Sequence, residues 1–203
     1  ISAYRGEQEF EIQLAKFYET NGQQEKADRM YEKLIDNMRP TSRDVINLYN
    51  AFKAQGKNDL AFNTLQKGRK LLKNSYPLNS QFAEYYGSIG ETGKMMNEYL
   101  DLLDYHPSYL RSLQHVLTNQ IDFSQEDSEE YEYLKRALIE RTQKKPNEMI
   151  YAEMLTWLFI QRKNFEAALV HVKALDKRSN SDGEELYRFG KICIENKEYS
   201  VAR

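Results

Sequence analysis

Three histidines and one cysteine are the side chains in this sequence best suited to metal binding or nucleophilic catalysis. His106, His115 and His171 are widely separated, and no two of them have the i, i+4 spacing that places two ligands on one helix face. Cys193 has no neighbouring base or cationic cluster of the kind that activates a thiol. We therefore expect no metal site, no cofactor and no catalytic residue. The histidines should be solvated or groove-lining, and Cys193 should be buried as a small apolar residue.

A glycine-rich stretch from Gly87 to Lys94 is the feature most similar to a phosphate-binding loop. Gly87 lies one residue too far from Gly93 for that motif, and Met95 stands where the motif needs a Ser or Thr to meet magnesium. No strand-like segment precedes the stretch. It predicts a turn between two helices.

An acidic run from Glu126 to Glu130 lacks the alternating oxygen ligands and the glycine of a calcium-binding loop. Ser128 followed by two glutamates predicts instead a helix N-cap with acidic side chains on the first turn. We expect an irregular stretch from Asp122 to Asp127 and then a helix that ends at Lys144.

Composition excludes several classes of protein. The 203 residues include 29 Lys and Arg against 31 Asp and Glu, and a net charge of −2 argues against a nucleic-acid partner. A mean hydropathy of −0.80 without a long apolar run argues against a membrane span. One cysteine excludes an internal disulfide. We expect a soluble compartment, either the cytoplasm or the bacterial periplasm.

Several columns of aromatic and small residues recur every 34 residues, as the positions 18, 52 and 86 show. The columns are Tyr18, Phe52 and Tyr86; Gly22, Gly56 and Gly90; Ala27, Ala61 and Met95; and, downstream, Phe159 and Cys193, and Ala168 and Ala202. From Met95 to Ala168 the distance is 73, which is two periods plus five, so a middle unit carries an insertion of five residues. A shared period of this length is typical of stacked repeats.

Within each repeat unit the apolar residues have helical spacing. In the first unit, Phe10, Leu14, Phe17 and Tyr18 form the expected stripe of one helix, and Ala27, Met30, Tyr31 and Leu34 that of a second. Gly22 lies between them, where a glycine can end the first helix. Each unit is thus predicted to be an antiparallel helical hairpin that must pack on its neighbours.

This pattern resembles the tetratricopeptide repeat family in its period, in the aromatic column of the first helix and in the small residue where the helices cross. The resemblance implies an all-α, right-handed α-solenoid of stacked antiparallel hairpins, with about five full units and a partial sixth. The units lie near 8–41, 42–75, 76–109, 110–148 with the insertion, 149–182 and 183–203. Residues 1–7 are expected to end a preceding segment, because both ends of the sequence look like cuts within a longer protein. The fourth unit differs most from the family's pattern, since Leu117 and Gln120 replace the small and the aromatic residue of its first helix.

The family resemblance also implies a non-catalytic scaffold or adaptor, which binds a peptide or helix of a protein partner in a concave groove lined by the first helices. The family's clamp for acidic chaperone tails is not expected, because in the first three units the matching positions are Ile12, Lys16, Asn47, Pro77 and Gln81. Two other roles stay open. The first alternative is a peptide-sensing part of a larger regulator. The second is the docking module of a larger enzyme or envelope assembly factor.

A groove surface is predicted on the fifth and sixth units. With Leu155, Leu158 and Phe159 in the core, helical geometry places a second set on the groove side. That set is Ile150, Glu153, Trp157, Ile160 and Gln161, joined by Tyr187 and Lys191 of the next unit. The groove of the first two units is polar by contrast, with Lys16, Glu19, Asn47, Asn50 and Lys53. Trp157 is either a partner-binding anchor or a peripheral core residue packed on the adjacent hairpin.

The sixth unit is predicted to have a first helix from Glu184 to Asn196 and only the start of a second, from Glu198. An uncapped repeat end exposes apolar side chains such as Ile192 and Val201. We expect self-association through this end, or further helices in the parent protein.

Overall fold

The computed structural model describes residues 2–125 and 127–202, with side chains from residue 8 onward except that of residue 74. In this described part, every regular element is a helix. The α-helices are α1 (Ser2–Thr20), α2 (Gln24–Asp36), α3 (Ser42–Ala54), α4 (Asn58–Leu72), α5 (Asn79–Ser88), α6 (Thr92–Tyr105), α7 (Leu110–Gln120), α8 (Glu129–Lys144), α9 (Met149–Gln161), α10 (Phe165–Ser179) and α11 (Glu184–Glu195). Two short 3-10 turns follow α4 and α6, at Lys73–Ser75 and Pro107–Tyr109. The predicted all-α fold class is confirmed.

The chain divides into two compact bodies, an N-terminal body (Ile1–Ile89) and a C-terminal body (Gly90–Arg203). In the N-terminal body α1 packs along α2 and α3 along α4, while α4 also contacts α2 and α5. In the C-terminal body α9 packs along α10, α8 contacts both α6 and α9, and α10 contacts α11. Within each body these helices form hairpins, as the repeat pattern predicts. The assignment of residues 8–203 to one repeat domain stays a prediction.

The hairpin turns have the predicted glycine geometry. Gly22, Gly56 and Gly90 have φ values of +73°, +71° and +76°, in the left-handed region that glycine adopts without a side-chain clash. After Gly22, the N–H of Gln23 donates to the carbonyl of Tyr18 at 2.9 Å, which closes the end of α1. The three-residue connection forces α2 back along α1.

Small residues occupy the helix crossings, as the repeat columns predict. Ala27, Ala61 and Ala168 are fully buried or nearly so. In the N-terminal body, the rings of Tyr31 and Phe52 meet edge to face with centroids 5.6 Å apart. The close approach depends on side-chain volume, which explains why alanine recurs in this column.

The apolar stripe predicted for α1 is wrong in two places. Phe10 and Phe17 are 66% and 59% exposed, whereas the buried face of α1 carries Gln8, Ile12 and Ala15. An α-helix turns by about 100° per residue, so Phe10 and Phe17, each two residues from a buried residue in sequence, lie about 160° around the helix from it. In addition, α1 begins at Ser2, earlier than the start near residue 8 that was predicted for the first unit. The assignment of residues 1–7 to the end of a preceding segment stays a prediction.

The fourth repeat unit contains the predicted insertion. Eight residues, 121–128, connect α7 to α8, whereas three residues connect α1 to α2, α3 to α4 and α9 to α10. The hydroxyl of Ser128 accepts a hydrogen bond from the N–H of Tyr131 at 3.2 Å, so the predicted N-cap is confirmed, and α8 ends at Lys144. Glu126 lies outside the described residues. Within the C-terminal body α7 packs on α9.

The sixth unit differs from its prediction at the second helix. The first helix, α11, ends at Glu195, but residues 199–201 form a turn rather than a second helix. The N–H of Ala202 donates to the carbonyl of Glu198 at 3.2 Å. One such bond does not offset the cost of fixing a helical nucleus. Ile192 and Val201 are half-buried, and self-association through them stays a prediction.

Candidate partner-binding site

The potentially reactive side chains lie in packed or isolated surroundings. His171 stacks on Phe159 with ring centroids 5.4 Å apart, and burial lowers the pKa of its imidazole. Cys193 is fully buried, and burial raises the pKa of its thiol, which keeps the sulfur protonated and unreactive. His115 is exposed on α7. Among the described residues, no group of three or more His, Cys, Asp or Glu side chains could hold a metal ion.

The glycine-rich stretch is an inter-helix turn, as predicted. Gly87 and Ser88 are the last residues of α5, residues 89–91 form the connection, and α6 begins at Thr92. Over the parts of the chain that the structure describes, no helix combines the length and the hydropathy needed to cross a membrane.

Trp157 lies on α9, a helix that is otherwise largely buried. Seven of its residues are buried: Tyr151, Ala152, Met154, Leu155, Thr156, Leu158 and Phe159. Trp157 is half-buried, and the ring of Phe123 meets it edge to face at 5.8 Å. Phe123 belongs to the longer connection between α7 and α8. The inserted segment therefore supplies a support for the indole ring while part of that ring stays open to solvent.

The other predicted groove residues are also accessible. Ile150, Ile160 and Gln161 are half-buried, and Glu153 is exposed. On α11, Tyr187 is 64% exposed, and the ammonium group of Lys191 lies 4.4 Å from the centre of its ring.

Two acidic side chains, Glu153 on α9 and Glu185 on α11, lie close enough to interact electrostatically. Partial desolvation, followed by the charge of Glu185, raises the pKa of the Glu153 carboxyl. Glu185 itself pairs with Arg188 at 3.3 Å. This side of α9 and α11 is consequently a mixed surface, with an indole, a phenol and a carboxylate that has a second carboxylate nearby.

In the N-terminal body, a cavity of about 460 Å³ lies between α1 and α3. It is lined by Gln8, Glu9, Ile12, Gln13, Asn47, Asn50, Ala51, Ala54 and Gln55. Asn47 and Asn50 are the predicted polar groove residues. Gln8, Gln13 and Gln55 were missed, because a search for apolar stripes passes over glutamine. Of the three, Gln8 is buried, Gln55 is half-buried and Gln13 is exposed. The spacing of Gln8 with Ile12 and Ala15 is the signal that marks Gln8 as inward-facing.

Two of the charged residues predicted for this groove, Glu19 and Lys53, are engaged within the protein. Lys57 Nζ lies 2.7 Å from both carboxylate oxygens of Glu19, and the hydroxyl of Tyr31 donates to the same carboxylate at 3.2 Å. The hydrogen bond from Lys57 lowers the pKa of Glu19. Lys53 is paired with Glu84. Neither Glu19 nor Lys53 lines the cavity, which leaves its wall almost uncharged.

Comparison with known proteins gives only distant matches among solved structures. No protein-family model and no curated protein sequence matches the chain. Among solved structures, the MamA RS-1 ArsTM double mutant matches with a TM-score of 0.40 and 12% identity, over 81% of this chain and 90% of that one. MamA from residue 41 to the end, from Desulfovibrio magneticus RS-1, matches with a TM-score of 0.29 and 9% identity, over 96% and 88%. A tetratricopeptide repeat protein from Parabacteroides merdae ATCC 43184 matches with a TM-score of 0.33 and 19% identity, over 96% and 89%. The repeat architecture itself follows from the helix bounds and turn geometry of this chain.

Proposed function

We propose that this chain is a non-catalytic protein-interaction module, which binds a peptide or a helix of a partner on the surface formed by α9 and α11. The observation that carries this proposal is the half-buried Trp157 on a largely buried helix, supported from one side by Phe123. Tryptophan is enriched at binding hot spots because a rigid ring buries a large area with little loss of conformational entropy.

The surroundings of Trp157 indicate what the partner segment offers. Ile150 and Ile160 supply apolar contact area on the same helix, and Tyr187 adds an exposed ring from α11. Glu153, whose pKa is raised, gains from any cation that relieves its desolvation and the charge of Glu185. We infer that the partner contributes an apolar anchor for the indole and a basic side chain for Glu153.

Substitution of Trp157 tests the proposal. Peptides that bind the whole chain are selected from a displayed random library, and their dissociation constants are measured for the wild type and for Trp157→Ala. We expect the substitution to weaken binding by about 2 kcal/mol or more, which is roughly 30-fold. Val170→Ala is the control, because Val170 is an exposed apolar residue on the neighbouring helix α10.

Two outcomes would contradict this assignment. If Trp157→Ala binds the selected peptides as tightly as the wild type, the α9 surface is not the binding site. If circular dichroism shows that the variant is unfolded, Trp157 belongs to the core, and binding of Tyr187→Ala then decides whether the surface is used.

A further inference from the structure

The connection between α1 and α2 contains the only Asn-Gly pair in the sequence. Asparagine is a chemically labile residue, and it is most labile before glycine, because glycine has no side chain to hinder attack by its own main-chain nitrogen on the preceding carboxamide. Asn21 and Gly22 are both exposed. No atom would lie within 4 Å of a Cβ on Gly22, so the pair is open to water and base.

The reaction that this pair undergoes is deamidation, and water is its only co-reactant. After the N–H of Gly22 loses its proton to base, the nitrogen attacks Cγ of Asn21. A new C–N bond closes a five-membered succinimide ring, and the bond to Nδ2 breaks to release ammonia. Water then opens the ring at Cγ to give aspartate, or at the main-chain carbonyl to give isoaspartate, in which the chain continues through the side-chain carbon. Nothing is oxidised or reduced.

In the folded turn, hydrogen bonds occupy both reacting groups. The N–H of Gly22 donates to the carbonyl of Glu19 at 3.0 Å, and Nδ2 of Asn21 donates to the carbonyl of Phe17 at 2.8 Å. The first bond keeps the proton on the attacking nitrogen, and the second holds the carboxamide back along α1. Both bonds have to break before the ring closes. The rate therefore depends on how often the last turn of α1 opens.

An ion pair anchors this last turn to the second hairpin. Nζ of Lys57, the residue that precedes α4, lies 2.7 Å from both carboxylate oxygens of Glu19. The hydroxyl of Tyr31 donates to the same carboxylate at 3.2 Å. These contacts hold Glu19, whose main-chain carbonyl accepts from Gly22, and so they oppose opening of the turn.

Two other hairpins have the same turn with a less reactive pair. In the C-terminal body, Nδ2 of Asn196 donates at 2.8 Å to a main-chain carbonyl four residues earlier, but the next residue is Lys197, whose side chain hinders the attack. In the second hairpin, Gln55 precedes Gly56, and a glutamine has to close a less favourable six-membered ring. The first hairpin alone combines an asparagine with a following glycine.

We propose that Asn21 is a modification site, which deamidates spontaneously at a rate set by opening of the last turn of α1. Aspartate puts a negative charge at the C-terminal end of α1, where the helix dipole and the carbonyl of Phe17 disfavour it. Isoaspartate adds a carbon to the main chain within a three-residue connection, so the hydrogen bonds that end α1 no longer fit. Deamidation thus loosens α1 from α2 irreversibly. The site is independent of the Trp157 surface, which lies in the other compact body.

Mass spectrometry of the whole chain tests the proposal. The protein is incubated in mildly alkaline buffer with and without urea, then digested at mildly acidic pH, and conversion at each asparagine is followed with time. We expect Asn21 to be the fastest site in urea, and to react at least about tenfold more slowly in the folded chain. Asn196 and Gln55 are internal controls and should be largely unconverted when Asn21 has reacted. The converted protein should melt at a lower temperature than fresh protein.

Removal of the ion pair separates the opening of the turn from the chemistry. Lys57→Met should raise the rate at Asn21 in the folded chain about threefold, because Glu19 loses its charged partner, and should leave the rate in urea unchanged. Lys67→Met is the matched control, since Lys67 lies on α4 and pairs at 2.6 Å with Asp36 at the end of α2. If circular dichroism shows that Lys57→Met is unfolded, Glu19→Gln gives the same comparison.

Four results would overturn the proposal. An unconverted Asn21 in urea would show that the pair is not a modification site. Equal rates in the folded and unfolded chain would show that the turn does not limit the reaction. If Lys57→Met reacts no faster than Lys67→Met, the ion pair does not hold the turn closed. If the converted protein melts as the fresh protein does, deamidation does not loosen α1.

Discussion

At the scale of single residues, two lysines occupy the turn position that glycine holds in the first three repeat units. Lys163 and Lys197 lie four residues after Phe159 and Cys193, and their φ values are +55° and +64°. The turn is otherwise the same, since the N–H of Asn164 donates to the carbonyl of Phe159 at 2.9 Å. A residue with a Cβ in this conformation costs roughly 1–2 kcal/mol, so these two turns are strained where the glycine turns are not.

Replacing Lys163 with glycine should therefore stabilise the protein. Relief of about 1–2 kcal/mol exceeds the roughly 0.4–1 kcal/mol that a glycine costs through greater freedom of the unfolded chain. We expect a net gain of about 0.5–1 kcal/mol in the free energy of unfolding, measured by urea denaturation. Lys173→Gly, at an exposed position inside α10, should instead destabilise by about 1 kcal/mol. Equal losses in both variants would show that the turn at Lys163 carries no strain.

At the scale of helices, Gly68 determines how closely α4 approaches its neighbours. A Cβ atom at this position would lie 2.4 Å from Cγ1 of Val45 and 3.1 Å from Cδ1 of Leu78. Both of those side chains are fully buried, and valine has little freedom to rotate away. By contrast, a Cβ on Gly190 in α11 would have only the carbonyl of Ala202 within reach, at 4.0 Å.

The two glycines are thus expected to respond to alanine in opposite directions. Alanine favours a helix interior by about 1 kcal/mol over glycine, but overpacking at Gly68 costs about 1–3 kcal/mol. Gly68→Ala should lower the free energy of unfolding by up to about 2 kcal/mol, and Gly190→Ala should raise it by up to about 1 kcal/mol. Thermal and urea denaturation of both variants measure these changes. A higher free energy of unfolding in Gly68→Ala would show that α3 and α4 lie farther apart than in the structure.

At the scale of the whole molecule, three buried tyrosines donate hydrogen bonds to carboxylates. Tyr31 donates to Glu19 at 3.2 Å, Tyr49 donates to Glu84 at 3.2 Å, and Tyr151 donates to Asp104. Burial is the largest cause that raises the pKa of each phenol, and it raises that of Tyr31 to about 12. The neighbouring carboxylates act in the same direction. Both compact bodies therefore contain phenols that must stay protonated in the folded state.

Alkaline pH should destabilise the protein through these tyrosines. A phenol whose pKa is raised from 10 to about 12 by folding contributes stability below pH 10 and loses it as the pH rises toward 12. We expect the free energy of unfolding to fall steadily above about pH 10 in urea titrations. Tyr49→Phe should make that decline shallower, while Tyr105→Phe, at a largely exposed position, should not change it. If the free energy of unfolding of Tyr49→Phe falls with pH as steeply as that of the wild type, the Tyr49 phenol does not contribute to the alkaline loss of stability.

For the Glu19 carboxyl, stability depends on pH in the opposite direction. The hydrogen bond from Lys57 lowers the pKa of this group below 4.5 in the folded state. Its contribution to stability is present above that value and is lost as the pH falls through the folded-state pKa. Stability is expected to be greatest between these acidic and alkaline limits.

Features that depend on neighbours along the chain could be predicted from the sequence. The glycine turns, the buried alanines of the crossing column, the Ser128 cap and the end of α8 at Lys144 all follow from hydrogen bonds or volumes within one hairpin or one helix. Such interactions repeat with the period, so a column of residues is enough to locate them.

The tertiary structure alone decided which helix faces are covered. The sequence pattern placed Phe10 and Phe17 in the core, but packing covers the opposite face of α1, which carries Ile12 and Ala15. The same holds for Phe123, which contacts Trp157 from an irregular segment, and for Gln8 and Gln55, which line one cavity from α1 and from the turn after α3. These contacts join residues more than 30 positions apart, and their geometry depends on helix packing that no local periodicity encodes.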